Sequence, residues 1–130
     1  NTVGFDKATA TYIVAAALRE AHEEIGLQPW QARPLGFLDP LLTISGFRVL
    51  PVVTWLDADF VPVPDPAEVA EVFELPLAMA LDPDNYTRKT LSRDGIELPF
   101  HELAYQGHRI WGATAALLHM LAMEVHAHGR

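Results

Sequence analysis

The sequence contains no cysteine. Disulfides, zinc–thiolate sites and thiol nucleophiles are therefore excluded, and the absence agrees with a reducing cytoplasm as the place of work. Basic residues are few, with nine Lys and Arg against seventeen Asp and Glu, for a net charge of −8. That balance argues against general nucleic-acid binding, which needs a basic surface to displace counterions from phosphates. A small phosphorylated ligand is not excluded, because one bound dication and a few local cations can reverse the field at a site. Long apolar runs are also missing; none approaches the roughly 20 residues of a membrane span. No signal peptide is visible, although an incomplete N-terminus would hide one. There are no internal repeats and no low-complexity tract. Half of the 130 residues are hydrophobic, which suits one domain over residues 1–130 whose core buries roughly two-thirds of its unfolded surface.

What is present centres on Arg19-Glu20-Ala21-His22-Glu23-Glu24-Ile25-Gly26-Leu27. As the last turns of a helix, this stretch puts Glu20, Glu23 and Glu24 at i, i+3 and i+4 on one face. Arg19 precedes Glu23 by one turn, close enough for its planar fork to hold a carboxylate bidentately. Val14, Leu18, Ala21 and Ile25 make an apolar stripe on a different face. Gly26 is placed for a left-handed cap, with Leu27 packing back on the helix. Three carboxylates so close repel one another by a few tenths of a kcal/mol per pair when solvated, and by more when half-buried. A divalent cation is one partner that would make sense of them. Mg²⁺ takes oxygen ligands and leaves positions for water and phosphate oxygens. A solvated acidic face is the other reading.

The spacing Arg-Glu-x-x-Glu-Glu-x-Gly followed by an aliphatic residue resembles the second half of the Nudix box, the signature of the Nudix hydrolases. The resemblance implies that the helix binds Mg²⁺ or Mn²⁺ and that the substrate is a small molecule, a nucleoside diphosphate linked to another group. It further implies Glu20 and Glu24 as the main metal ligands and Glu23 as a further ligand or water-holder. Arg19 would orient them, and Glu20 is also a candidate general base. The first half of the box departs from the family pattern, with Phe5 and Thr11 where the family has Gly and Glu. Gly4 and Asp6 have suitable chemistry but are displaced, and the expectation is that an N-terminal portion precedes Asn1. The implied fold is α/β: an α/β/α sandwich with a mixed β-sheet between helices.

Three further segments resemble the coenzyme A pyrophosphatase branch of that family. They are Ser45-Gly46-Phe47 with Val49 and Pro51-Val52-Val53; Glu68 to Phe73 with Pro76-Leu77; and Tyr105-x-Gly107-x-x-Ile110-Trp111-Gly112-Ala113-Thr114-Ala115. The implied substrate is coenzyme A or an acyl-CoA, giving 4′-phosphopantetheine and adenosine 3′,5′-bisphosphate. Hydrolysis of a nucleotide sugar or dinucleotide, and a non-catalytic module that only binds a ligand, stay open. A homodimer is left open as an assembly.

Elsewhere, residues 1–9 read as a loop with Asp6 or Thr9 to cap a helix over about 10–25. Pro29 and Pro34 bracket a turn, and a short strand follows over 35–38. Residues 45–56 read as one long strand in which Pro51 marks an edge or a bulge. Arg48 within it is either solvent-facing or a contact to substrate phosphate. A loop spans 57–66, then a strand beginning at Glu68 leads into a brief helix through Ala80. Glu68 and Glu71 face either the metal or solvent. Residues 82–110 read as a β-meander turning at Asp94-Gly95 and Gln106-Gly107. Its Arg88, Lys89 and Arg93 either greet an anionic ligand, with Arg88 as a substrate contact, or guard an edge strand. A final helix spans 112 to about 127, its Met and Leu stripe serving the core.

Overall fold

The computed structural model describes residues 6–43 and 46–128, so Gly4, Phe5 and Ser45 of the motifs above lie outside the described residues. Two compact units result. The first comprises the described residues up to Leu42 together with Arg48–Glu74; the second comprises those of 43–47 and from Leu75 on.

The first unit opens with α1, Lys7–Ile25. It starts earlier than the composition suggests because Asp6, in extended backbone, accepts the Thr9 N–H at 2.7 Å. That bond satisfies one of the orphan donors of the first turn and makes Asp6 the cap. Val14, Leu18, Ala21 and Ile25 are half-buried, and α1 lies against β4, Val52–Leu56. A 3-10 turn over Pro29–Gln31 leads into β1, Ala32–Phe37. β1 pairs antiparallel with β4, from Ala32 opposite Leu56 to Phe37 opposite Val52, with a slip in register between Pro34 and Gly36. Pro34 thus sits in a strand, opposite Thr54, instead of closing a turn. A proline is tolerated beside such an irregularity because the ladder is already interrupted there.

The long strand expected over 45–56 is divided. Arg48–Val49 (β3) pairs with Leu41–Leu42 (β2), and β4 starts only after Pro51. Pro51 has no N–H to give; its carbonyl accepts the Leu38 N–H at 3.2 Å. The strand expected to begin at Glu68 does not form. The N–H groups of Glu68 and Val69 turn back onto the Asp65 carbonyl at 3.0 and 2.8 Å, which closes a turn instead.

The second unit holds α2 (Leu77–Ala80), a 3-10 turn at Pro83–Asn85, then β5 (Thr87–Arg93), β6 (Ile96–Tyr105), β7 (His108–Ile110) and α3 (Gly112–His128). The three strands form the expected meander in the order β5-β6-β7. Both connections put two residues at positive φ: Asp94 at 54° and Gly95 at 77°, Gln106 at 48° and Gly107 at 80°. Two-residue loops of that hand match the right-handed twist of paired strands. α3 packs on β6. Leu103, Ile110, Tyr86, Ala115 and Ala122 form the buried core there, with Leu75, Met79 and Leu118 against it. The alanines let helix and sheet approach closely, and the Tyr86 hydroxyl donates to the Ala80 carbonyl at 2.5 Å.

The architecture is α/β, built of helices and small sheets, and every strand pair among the described residues is antiparallel. Among the described residues, no helix is long and apolar enough to cross a membrane.

Candidate active site

The end of α1 is held from three directions. Gly26 takes the left-handed conformation (φ 76°, ψ 17°); its N–H donates to the His22 carbonyl at 3.0 Å and the Leu27 N–H to the Ala21 carbonyl at 3.4 Å. Leu27, the residue after the cap, is buried, at 4% exposure. The His22 Nδ1–H donates to the Leu27 carbonyl at 3.1 Å, a bond that only the Nδ1-protonated tautomer can make to a carbonyl. His22 therefore serves the turn and is not a ligand candidate. The third hold comes from residues 62–66. Val63 N–H donates to the Ile25 carbonyl and Asp65 N–H to the Glu24 carbonyl, both at 2.8 Å.

On the last turns stand Arg19, Glu20, Glu23 and Glu24, all exposed. Helical spacing puts the three glutamates on one face, as expected. Among the described residues none of the three carboxylates takes part in an ion pair or side-chain hydrogen bond. The Arg19–Glu23 fork expected from the spacing is not made. Arg N-terminal to Glu is the weaker orientation on a helix, and both side chains are in water, so holding them together costs rotamer freedom for little Coulomb gain. Arg19 instead lines an open depression of about 550 Å³ with Ala15, Leu18, His22, Gln28 and Pro29.

By donor chemistry the trio fits a hard divalent cation: oxygen atoms only, solvent-accessible, with no basic side chain bound to them. The side chains do not, however, converge as they stand. Among the described residues no group of three or more His, Asp or Glu side chains is gathered to hold a metal. Closing around an ion is then a matter of side-chain rotation at an exposed helix end whose backbone is already fixed.

Arg48 is exposed on β3 opposite Leu42. Arg88 is exposed on β5, opposite His101. The basic cluster of the meander is divided by strand alternation, which sends Arg88 to one face and Lys89 and Arg93 to the other. Lys89 Nζ donates to Glu102 at 2.8 Å, and Arg109 Nε binds the other oxygen of the same carboxylate. These two bonds hold the Glu102 carboxyl below its ordinary pKa. The Arg109 guanidinium also lies 4.6 Å over the Trp111 ring. Glu68 and Glu71 are exposed.

Sequence reasoning missed the part played by residues 62–66. The signal was there, in the alternation Pro62-Val63-Pro64-Asp65-Pro66. Proline has no N–H, so this stretch carries only two donors, two residues apart.

A helix that ends in Arg-Glu-x-x-Glu-Glu-x-Gly, with its carboxylates on one open face, is the feature by which the chain can be compared with known proteins. It is 41% identical over 113 residues to an uncharacterized Nudix hydrolase NudL of Photorhabdus laumondii, a match covering 87% of this chain and 60% of that protein. A namesake in Pectobacterium atrosepticum is 39% identical over 87% of this chain and 59% of its own length. Another, in Klebsiella pneumoniae, is 37% identical over 94% of this chain and 63% of its own. The chain thus spans about three-fifths of the length of the curated relatives it matches. No family model matches it. On the strength of these relatives the chain belongs to the Nudix hydrolase superfamily.

Proposed function

We propose that the protein hydrolyses a pyrophosphate bond in a nucleoside diphosphate derivative, with coenzyme A or an acyl-CoA as substrate. The observation that carries this reading is the end of α1. Three carboxylates stand there on one face, unpaired among the described residues, on a helix end that the Gly26 cap fixes. The relatives add support of a general kind, since their names say Nudix hydrolase and nothing about substrate. The coenzyme A reading draws on the segments Glu68 to Phe73 and Tyr105 to Ala115, which resemble that branch of the family.

Glu20 and Glu24 would hold Mg²⁺ or Mn²⁺, with Glu23 as a further ligand or as the carboxylate that holds the water. When bound, such a cation lowers the pKa of water and neutralises phosphate oxygens. Arg19, free of Glu23, is available to orient the carboxylates or the substrate. Glu20 is a candidate to take the proton of the attacking water. The water oxygen bonds to one phosphorus of the bridge, the bond from that phosphorus to the bridging oxygen breaks, and the bridging oxygen leaves on the other phosphate. Most of the acceleration in such a reaction comes from positioning and charge stabilisation. Arg48 and Arg88, exposed cations on β3 and β5, are the candidates for contact with substrate phosphates. A small-molecule substrate, no nucleic acid and a cytoplasmic setting complete the reading.

The test is product analysis with Mg²⁺ or Mn²⁺ on coenzyme A, an acyl-CoA, a nucleotide sugar and a dinucleotide. The expected result is release of adenosine 3′,5′-bisphosphate from coenzyme A, with turnover reduced about a hundredfold or more in Glu24→Gln. Cleavage of another member of the panel with coenzyme A untouched overturns the substrate. Turnover of none of them, or turnover indifferent to Glu24→Gln, overturns the role given to α1.

A further inference from the structure

The segment Pro62-Val63-Pro64-Asp65-Pro66 is more than a connection. Three of its five residues have no N–H, and the two that have one direct it to the last carbonyls of α1. Those carbonyls belong to Glu24 and Ile25, at the terminus where a helix has no internal donors to offer. The contact is close as well as polar: a Cβ built on Gly26 would lie 3.3 Å from the Val63 Cβ. Proline fixes φ near −65° and restrains the residue before it to extended backbone, so the strap keeps its shape without a sheet to hold it. Its far end is closed by the Asp65 carboxylate, which accepts the Ala67 N–H at 3.0 Å, and by the bonds of Glu68 and Val69 to the Asp65 carbonyl.

We propose that this strap is a positioning element for the cation, with Val63 and Asp65 as positioning residues that hold the last turn of α1 through the carbonyls of Ile25 and Glu24 respectively. The inference rests on the role given to α1 above. Its physical basis is that an exposed carboxylate has freedom only in its own torsions when its backbone is fixed. If the last turn frays, the same carboxylate must be ordered over a much larger range before it can bind. Groups that fix a metal ligand's orientation without touching the metal typically matter 10- to 100-fold in metal affinity.

The experiment is a Mn²⁺ titration followed by electron paramagnetic resonance, on the whole chain and without substrate. Val63→Pro deletes one donor and keeps extended backbone; Val63→Ala deletes side chain and keeps the donor. Mn²⁺ affinity is expected to fall about tenfold in Val63→Pro and to be largely retained in Val63→Ala. In a Glu24→Gln background, Val63→Pro is expected to cost little further affinity, since the strap acts by fixing the turn that carries Glu24. Should Val63→Pro fail to fold, amide exchange in the unaltered strap decides. Mn²⁺ must then slow exchange at Val63 and Asp65, and must not do so in Glu24→Gln. Mn²⁺ binding that depends on Glu24 but is indifferent to Val63→Pro, or exchange unmoved by the ion, overturns the strap and leaves the role of α1 standing. No binding by the unaltered protein overturns both.

Discussion

Gly26 meets two demands at one position. Its φ of 76° is a conformation in which a Cβ is strained, and the space where that Cβ would go is bounded by Val63. Gly26→Ala should therefore destabilise by about 1–2 kcal/mol for the left-handed backbone, with displacement of the Val63 side chain added to it. Urea unfolding should show a lower midpoint at unchanged slope; an unchanged midpoint would mean that the cap contributes nothing. Leu103 is a different case. At 1% exposure it is the largest fully buried side chain described, and Leu103→Ala should cost about 2–5 kcal/mol as transfer and cavity terms combine. The same unfolding experiment reads it out. The cap at Gly26 and the placement of the three glutamates on one helix face were legible in the sequence because local spacing alone fixes them. Leu103 was not, because many leucines share its pattern and only packing selects among them.

Among the elements, the contact between β6 and α3 has a built-in proton dependence. The ring of His101 stacks on that of His119, centroids 3.9 Å apart and planes 13° apart, while Tyr86 meets His119 edge-on at 5.2 Å. Burial, His119 and Arg88 all push the His101 pKa below the ordinary value of 6.5. The unfolded chain then binds a proton more readily than the folded one, so stability rises with pH through this window. The contribution is fully present above about 6.5 and is lost as pH falls below it. His101→Phe, which keeps a ring in the stack, should flatten the dependence of the unfolding midpoint on pH between 7.5 and 5. A variant that follows the parent curve would rule the pair out as its source. The meander itself could be read from Asp94-Gly95 and Gln106-Gly107, since positive φ leaves a compositional trace. The division of 45–56 at Pro51 was only half legible: the proline announced an interruption, but not that two short strands would each find a different partner.

For the molecule as a whole, two carboxyls add a second window at lower pH. Asp6 is held below its ordinary value chiefly by the Thr9 backbone N–H, and Glu102 by Lys89 and Arg109. Each contributes stability that is present above the unfolded value and is lost as pH falls through the folded one. Their ordinary values of 3.8 and 4.5 place the onset. The unfolding midpoint should therefore rise from pH 3 to 5, and Glu102→Gln should remove part of that rise. Chelation acts on another property. If the carboxylates of α1 hold the cation that catalysis needs, EDTA should abolish turnover and added Mn²⁺ restore it, with little change in the helix content seen by circular dichroism. Turnover that survives exhaustive chelation would contradict the reading of that helix.

The sequence by itself determined the identity and order of the chemical groups on α1, the point at which that helix stops, and the turns of the meander. These depend on residues within a few positions of one another, where helical and strand periodicity fix the geometry. Tertiary structure decided that Arg19 leaves Glu23 for the depression beside Pro29, and that Glu102 gathers both Lys89 and Arg109. It also decided that a proline-rich loop closes the end of the helix. Such choices compare partners far apart in the chain, and the comparison is settled by competing hydrogen bonds, solvation and side-chain entropy.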